Sequence, residues 1–312
     1  MRRENVTSMV EFTLLGLFPG TRHIGFLICT IFLVYVVAIT GNTTLVLLLS
    51  LDPRLHSPMY FLLSQLSFMD ISLISTTVPK MLTNYFLGTS GISYSSCVTQ
   101  VYFYSALGSS ECILLTLMAY DRYIAICNPL RYMVIMNPKV CLQVAIVSWV
   151  GGAINSAGHT TYTMHFPRCG SREIQHFFCE LPAVLKLSCE DTSPYERAVL
   201  VLGILFLLIP FGLILTSYTL IILSVLHVNS SKGKRKALTT CSSHLVVVLL
   251  YFCPTVFIYM IPSSLHTSEQ DQILSIFYTI LTPMLNPLIY SLRNKDVGEA
   301  LRRVLFKSLI TR

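Results

Sequence analysis

Residues 24–51 have the sequence IGFLICTIFLVYVVAITGNTTLVLLLSL, which contains no Asp, Glu, Lys or Arg. A helix rises about 1.5 Å per residue, so roughly 20 apolar residues cross a hydrocarbon layer about 30 Å thick. This stretch is therefore long enough to span a membrane. Four more uncharged stretches of similar character follow it, at residues 140–164, 198–226, 237–265 and 272–292.

Two further apolar stretches carry one acid each: residues 58–78 contain Asp70, and residues 94–120 contain Glu111. Both are long enough to span a membrane as helices, and the alternating segments of about 10 residues that mark a transmembrane barrel are absent. The sequence therefore predicts an all-α membrane protein, a bundle of seven transmembrane helices. The predicted spans are about 24–51, 58–80, 94–122, 140–164, 197–227, 237–262 and 272–292.

The composition supports this prediction, because 22 Lys and Arg and 15 Asp and Glu residues make up only 12% of the 312-residue chain. Soluble proteins carry about 25% charged residues, so the low charge content argues against a soluble protein. Disordered chains are poor in apolar residues, so the apolar stretches argue against disorder. The connections between spans are too short for a soluble domain, and the common catalytic signatures are missing. We therefore expect neither an enzyme nor a nucleic-acid-binding protein.

Basic residues set the expected orientation, because they are enriched on the cytoplasmic side of membrane proteins. More of them flank the predicted spans when the C-terminus is placed inside. We thus expect a multi-pass plasma-membrane protein with an extracellular tail at residues 1–23 and a cytoplasmic tail at residues 293–312. Asn5, in the sequon Asn5-Val6-Thr7, is the expected glycosylation site in the outer tail.

The C-terminal tail has the pattern of an amphipathic helix. Val297, Ala300, Leu301 and Val304 fall on one helical face, while basic residues such as Arg302 lie elsewhere around it. A helix of this kind lies on the anionic inner leaflet, so membrane lipids are expected partners.

Four of the ten cysteines, Cys97, Cys169, Cys179 and Cys189, lie in the predicted outer segments. Outer segments face an oxidising compartment, so we expect disulfides, although the spacing alone leaves all three pairings open. A soft-metal site that uses some of the same thiols with nearby histidines is a weaker alternative. The other six cysteines are expected to be free thiols.

Five strings of sequence carry a family resemblance. They are GN at 41–42, PMYFLLSQLSFMD at 58–70, MAYDRYIAICNPLRY at 118–132, KALTTCSSH at 236–244 and PMLNPLIY at 283–290. In this order and on these spans, they resemble the olfactory receptors, within the rhodopsin-like G-protein-coupled receptors. The resemblance covers nearly the whole chain. It implies an odorant receptor that binds its ligand in the outer half of the bundle, activates a stimulatory, olfactory-type G protein and raises cyclic AMP.

The resemblance also implies residue roles. The activation switch would comprise Asp121, Arg122, Tyr123, Tyr218, Asn286, Pro287 and Tyr290. Arg122 would pair with Asp121 in the resting state, and Pro287 would permit a kink. The implied disulfides are Cys97–Cys179 and Cys169–Cys189, with Cys97–Cys189 as the alternative to the first.

Asp70 and Glu111 are the acids that lie deep in the predicted spans, where ionisable groups are costly and therefore candidates for function. Two carboxylates that share a site either share a proton or hold a cation. By resemblance the cation would be sodium, acting as an allosteric modulator, and we expect no other cofactor. Asn42 or Asn286 would be the third member of this group.

The expected ligand-binding residues are uncharged. They are Tyr104, Ser105, Gly108, Ser109 and Cys112 of the third span, Leu202, Leu205 and Phe206 of the fifth, and Phe252, Thr255, Val256 and Tyr259 of the sixth. Pockets of this composition suit a small, neutral, weakly polar molecule, although each residue could equally serve helix packing. The family has Phe-Tyr-Gly where this chain has Tyr251-Phe252-Cys253, so we expect Tyr259 rather than Phe252 to donate a hydrogen bond.

Two other classes of protein are disfavoured. A charged pocket lining or a long N-terminal tail would indicate a receptor for a lipid or a peptide, and the sequence has neither. A secondary transporter would need inverted repeats, which are not visible.

Overall fold

The computed structural model describes residues 11–18, 20, 22–168, 171–227, 231–261, 265, 267–293 and 295–310. The chain is mostly helical. Six helical segments among these residues are long and apolar enough to cross a membrane, and a further helix contains a shorter apolar stretch at His244–Met260. This arrangement confirms the predicted seven-transmembrane bundle and makes the chain a multi-pass membrane protein.

The first four spans are continuous helices: α1 (Ile24–Leu51), α2 (Pro58–Leu87), α3 (Tyr94–Cys127) and α5 (Pro138–His165). A single turn, α4 (Tyr132–Ile135), precedes α5, and α6 (Leu181–Leu185) lies in the loop that follows it. The sixth span is α9 (Ser231–Met260), and α12 (Lys295–Ile310) follows the bundle. Helix α2 extends a full turn and more beyond the predicted end of the second span at Lys80.

The fifth and seventh spans are each interrupted by a π-helical turn. Helix α7 (Ser193–Gly203) joins α8 (Ile209–Leu226) through Ile204–Leu208, and α10 (Ser268–Ile276) joins α11 (Thr282–Arg293) through Phe277–Leu281. Each π turn directly precedes a proline at the second position of the next helix, Pro210 or Pro283. Proline lacks the N–H group and its ring clashes with the carbonyl four residues earlier, which favours a wider turn. The Phe277 carbonyl accepts from the Thr282 backbone N–H, as in a π turn, and also from the Thr282 hydroxyl at 2.9 Å.

A small sheet covers one end of the bundle, which we call the sheet end. Strand β1 (Glu11–Leu14) lies in the middle, antiparallel to β2 (Gly91–Ser93) and parallel to β3 (Glu173–Ile174). Phe12 and Leu14, on alternate positions of β1, are buried. Part of the segment that we treated as a tail is thus the central strand of a sheet built from three distant parts of the chain.

A disulfide joins Cys97 at the start of α3 to Cys179 in the loop after α5. The alternative pairing of Cys97 with Cys189 is therefore wrong. Cys189 is also disulfide-bonded, but Cys169 lies outside the described residues, so the Cys169–Cys189 pairing stays a prediction. The six cysteines expected to be free are free: Cys29, Cys112, Cys127, Cys141, Cys241 and Cys253. The predicted glycosylation site, Asn5, also lies outside the described residues.

The opposite end, which we call the α12 end, carries the C-terminal helix. Val297 and Ala300 of α12 are buried. The Arg303 guanidinium lies 2.9 Å from the Asp52 carboxylate, in the turn after α1. The Tyr60 hydroxyl of α2 donates to Asp296 at 3.2 Å. These contacts hold the apolar face of α12 against the bundle.

Candidate ligand-binding site

A cavity of about 110 Å³ lies in the half of the bundle nearest the sheet end and is lined mainly by α3, α5, α7, α9 and the π turns of the fifth and seventh spans. Nine of the predicted ligand-binding residues line it. They are Tyr104, Ser105, Gly108, Ser109, Cys112, Leu202, Phe206, Thr255 and Tyr259. In another protein, an engineered cavity of about 150 Å³ binds benzene. The cavity of this chain is of similar size, so it suits only a small molecule.

Three predicted residues are not among those that line the cavity. Leu205 is 54% exposed and faces outward, because the π turn at Ile204–Leu208 shifts the helix face so that Phe206 and Leu207 point inward. Val256 directly follows Thr255 on α9, so its side chain points in a different direction and packs against the apolar core. Phe252 is fully buried and stacks on Phe211, with ring centroids 5.3 Å apart.

Tyrosines form the two ends of the cavity. At the inner end, the Tyr251 hydroxyl donates to the Gly108 carbonyl at 2.7 Å, and the Cys112 thiol lies 3.6 Å from the same hydroxyl. The exchange of Tyr and Phe at 251–252 therefore places the hydroxyl at 251, beside α3. At the other end, the Tyr104 hydroxyl lies 3.1 Å from that of Thr279, and the Tyr104 ring packs on Phe178 with centroids 4.7 Å apart.

A buried acid in the loop lies behind two tyrosines of the cavity lining, Tyr259 and Tyr278. The Glu180 carboxylate accepts hydrogen bonds from Tyr259 at 3.1 Å, from Ser275 at 3.2 Å and, in a short contact, from Tyr278. Tyr259 is thus a donor as expected, but to Glu180 within the protein. Sequence reasoning missed this role of Glu180. Its position next to Cys179, which is joined to α3, was the available signal.

The charge state of Glu180 follows from its burial. Burial raises the pKa of the Glu180 carboxyl to about 7 and lowers the pKa of the neighbouring His176 imidazole to about 3. The His176 Nε2 atom lies 3.3 Å from Glu180 Oε2. Because the imidazole is uncharged at neutral pH, this contact is not a salt bridge.

Helix α5 contributes two polar lining residues that sequence reasoning also missed, Asn155 and His159. The Asn155 amide donates to Ser109 Oγ at 2.9 Å, and His159 Nδ1 lies 3.0 Å from the Tyr195 hydroxyl. Their spacing of four residues places both on one face of a helix, which was the signal in the sequence.

The structure brings Asp70 and Asn286 together. The Asn286 amide donates to both Asp70 oxygens, at 3.1 and 2.9 Å. Asn42 instead donates to the Pro283 carbonyl at 2.7 Å, so Asn286 is the direct partner of Asp70. The Glu111 carboxyl group is fully buried and lies within hydrogen-bonding contact of Asp70, while no N–H or hydroxyl group of the described residues donates to either Glu111 oxygen. Carboxylate and amide oxygens are the ligands that a hard cation such as sodium requires, and two carboxyl groups in contact can also share a proton.

The predicted switch residues lie toward the α12 end. Asp121 accepts a hydrogen bond from Tyr132 at 2.8 Å, and the expected ion pair between Asp121 and Arg122 is absent from the described residues. The Tyr132 hydroxyl is thus the partner of Asp121, in the role that we predicted for the Arg122 guanidinium. Tyr123 is half-buried and packs against the core.

Two tyrosines of the switch group differ in their contacts. The Tyr218 hydroxyl makes a short hydrogen bond to His244, the last residue of the family string at 236–244. The Tyr290 hydroxyl is buried, without a hydrogen-bond partner in the part of the chain that the structure describes. Pro287 packs against α1 at Gly41, where an added Cβ would lie 3.1 Å from the proline ring. This close approach explains the glycine in the first of the five strings.

Comparisons with known proteins agree with this architecture. The family model for the olfactory receptors matches residues 31–308. Human olfactory receptor 2M2 is 52% identical over 98% of this chain and 88% of its own length. Human olfactory receptor 2AE1 is 51% identical over 100% of this chain and 96% of its own, and human olfactory receptor 2T27 is 51% identical over 98% and 96%. The chain therefore belongs to the olfactory receptor family, whose members are G-protein-coupled receptors and not enzymes.

Proposed function

We propose that this receptor binds small, neutral, weakly polar odorants in the cavity between α3, α5, α7 and α9. The observation that carries the proposal is the lining: none of the described residues that line the cavity is Asp, Glu, Lys or Arg. A charged ligand would be desolvated there without a counter-ion, which is costly. A neutral molecule with a few polar atoms suits the cavity.

The proposed signalling direction runs from the sheet end to the α12 end. In this proposal the sheet end is extracellular, the α12 end is cytoplasmic, and the protein lies in the plasma membrane. Odorant binding favours an open state in which the α12 end activates a stimulatory, olfactory-type G protein and raises cyclic AMP. An odorant shifts this equilibrium only by its better affinity for the open state. Asp121, Arg122, Tyr123, Tyr218, Asn286, Pro287 and Tyr290 are the proposed switch residues.

The test is expression with an olfactory-type stimulatory G protein and measurement of cyclic AMP over a broad odorant panel. Gly108→Phe places a large ring in the cavity, so we expect it to abolish responses while surface expression persists. Ile154→Phe is the matched control, because Ile154 is 68% exposed on the outside of α5. If no odorant raises cyclic AMP despite surface expression, the proposal is wrong.

We also propose that Asp70 and Glu111 hold a sodium ion that favours the inactive state. The proposal is supported by the buried Glu111 oxygens, which lie against Asp70 and accept no hydrogen bond from an N–H or hydroxyl group of the described residues. The alternative is a shared proton between the two carboxyl groups. Replacing sodium by choline should raise agonist potency several-fold in the wild type and leave Glu111→Gln unchanged. Equal potency in sodium and choline for the wild type would favour the shared proton.

A further inference from the structure

The cavity has one polar wall and one apolar wall. Ser105 and Ser109 of α3 face Asn155 of α5 on the polar side. Leu202, Phe206 and Leu207, from α7 and the π turn that follows, form the apolar side. A ligand in this cavity therefore has a preferred orientation, with its polar atom toward α5.

Most other hydroxyl groups around the cavity already donate to the protein. Tyr251 donates to the Gly108 carbonyl, Thr255 to the Tyr251 carbonyl at 2.6 Å, and Tyr259 to Glu180. The Tyr104 and Thr279 hydroxyls pair with each other. These groups are satisfied without a ligand and contribute little to its recognition.

The polar wall differs, because hydrogen-bonding capacity is left over there. The Asn155 amide nitrogen donates to Ser109 Oγ, and no described residue donates a hydrogen bond to Asn155 Oδ1. The Ser105 and Ser109 hydroxyls likewise donate to none of the residues that the structure describes. The wall thus offers one carbonyl acceptor next to two hydroxyl donors.

We infer that this wall selects odorants that carry a hydroxyl group, namely alcohols and phenols. This inference rests on the proposed odorant-receptor function and names its ligand class. A hydroxyl both donates and accepts, so it can satisfy Asn155 Oδ1 and a serine hydroxyl together. An ether or a ketone only accepts, and would leave Asn155 Oδ1 desolvated without a partner. Sites built for a hydroxyl strongly reject analogues that lack it.

The test uses matched sets of compounds: linear alkanols and phenylalkanols, their methyl ethers and their parent hydrocarbons. For wild-type receptor we expect the alcohols to be at least about tenfold more potent than the ethers in the cyclic AMP assay. Asn155→Leu keeps the side-chain size and removes the acceptor, so alcohol potency should fall about tenfold while ether potency stays within about twofold.

Two further variants complete the experiment. Thr161→Leu, on the exposed side of the same helix, is the matched control and should leave both compound classes unchanged. Ser105→Ala is a second variant that disturbs packing little, and it should also lower alcohol potency without affecting the hydrocarbons. Surface expression of each variant is measured with an epitope tag.

The outcomes separate the two proposals. If no compound activates the displayed wild-type receptor, the odorant-receptor function fails and this inference fails with it. If agonists are found but alcohols and ethers are equipotent, the inference is overturned and the function stands. The same conclusion follows if Asn155→Leu lowers the potency of both classes equally.

Discussion

Glu180 is a carboxyl group in the loop before α6, buried beneath three hydroxyl groups that come from α9, α10 and the π turn of the seventh span. Two of these hydroxyls belong to Tyr259 and Tyr278, which line the ligand cavity. The protonation state of Glu180 is thus linked to the positions of two side chains that line the cavity.

This linkage predicts a pH dependence. The folded-state pKa of Glu180 is raised by burial from an ordinary 4.5 to about 7. The Glu180 carboxyl group is therefore protonated more readily in the folded state. Its contribution to stability is fully present below about pH 4.5 and is lost as the pH rises through about 7. We expect the potency of a neutral odorant to fall several-fold as the external pH is raised from about 6 to about 8.

Glu180→Gln should abolish this pH dependence, because the amide does not titrate. Glu190→Gln, in an exposed position of the same loop, is the control and should keep the wild-type pH profile. A Glu180→Gln profile that follows the wild type would contradict the assignment.

Sequence reasoning placed the residues of α3 in the cavity correctly but missed Asn155 and His159 of α5. The third span could be treated as a regular helix, so inward positions followed from its period of 3.6 residues. The rotation of α5 about its own axis depends on its packing against α3. The spacing of Asn155 and His159 places them on one face of α5, but the sequence does not say toward which neighbour that face turns, because apolar residues occur around the whole helix.

At the scale of secondary structure elements, α5 approaches α3 closely at Gly152. A Cβ atom there would lie 2.1 Å from Ser110 Oγ and 2.4 Å from the Ala106 carbonyl oxygen. The backbone carbonyl cannot move without shifting α3, which carries five of the twelve predicted ligand-binding residues. A small residue at this crossing is therefore a condition for the cavity, as is common where membrane helices pack.

Two glycines of α5 provide a matched pair of substitutions. Gly152→Ala should destabilise the receptor by about 1–3 kcal/mol through overpacking. Gly158→Ala meets no atom within 4 Å. It should be neutral or stabilise by up to about 1 kcal/mol, because alanine is the better helix former. Thermal unfolding of detergent-purified protein measures both, and equal melting temperatures for the two variants would contradict the close crossing.

The π turns are the element-scale feature that the sequence analysis did not anticipate. Pro210 and Pro283 are visible in the sequence, but proline inside a span can produce a kink, a π turn or a local break. The choice among these depends on which neighbouring groups satisfy the carbonyls that lose their N–H partner and on how the helix packs against its neighbours. The outward position of Leu205 is the direct consequence.

At the scale of the whole molecule, the sheet end is held together by contacts between distant parts of the chain. Cys97 and Cys179 are 82 residues apart, and their disulfide fastens the loop that carries Glu180 to α3. Gln100 of α3 accepts a hydrogen bond from the Cys179 backbone N–H at 2.8 Å, and its own amide donates to the Thr76 carbonyl. Strand β1 adds the N-terminal segment to the same assembly.

Removal of this disulfide should affect the whole receptor. We expect the double variant Cys97→Ser, Cys179→Ser to lose most of its surface expression, because closure of a long loop in a soluble domain contributes about 2–5 kcal/mol. Cys29→Ser removes an exposed free thiol of α1 and is the control. Flow cytometry of tagged receptor measures the effect, and equal surface levels for the two proteins would contradict it.

The sequence by itself determined the fold class, the number of spans and their order, because the length of an uncharged apolar stretch is set by the thickness of the bilayer. It also determined the family, through strings that lie within single helices. The tertiary structure alone decided which side chains meet across helices and loops. Glu180 and Tyr278 are 98 residues apart, and Ser109 and Asn155 are 46 apart. Contacts of this kind depend on the rotation and offset of whole helices, which are set by packing between them and not by any local pattern.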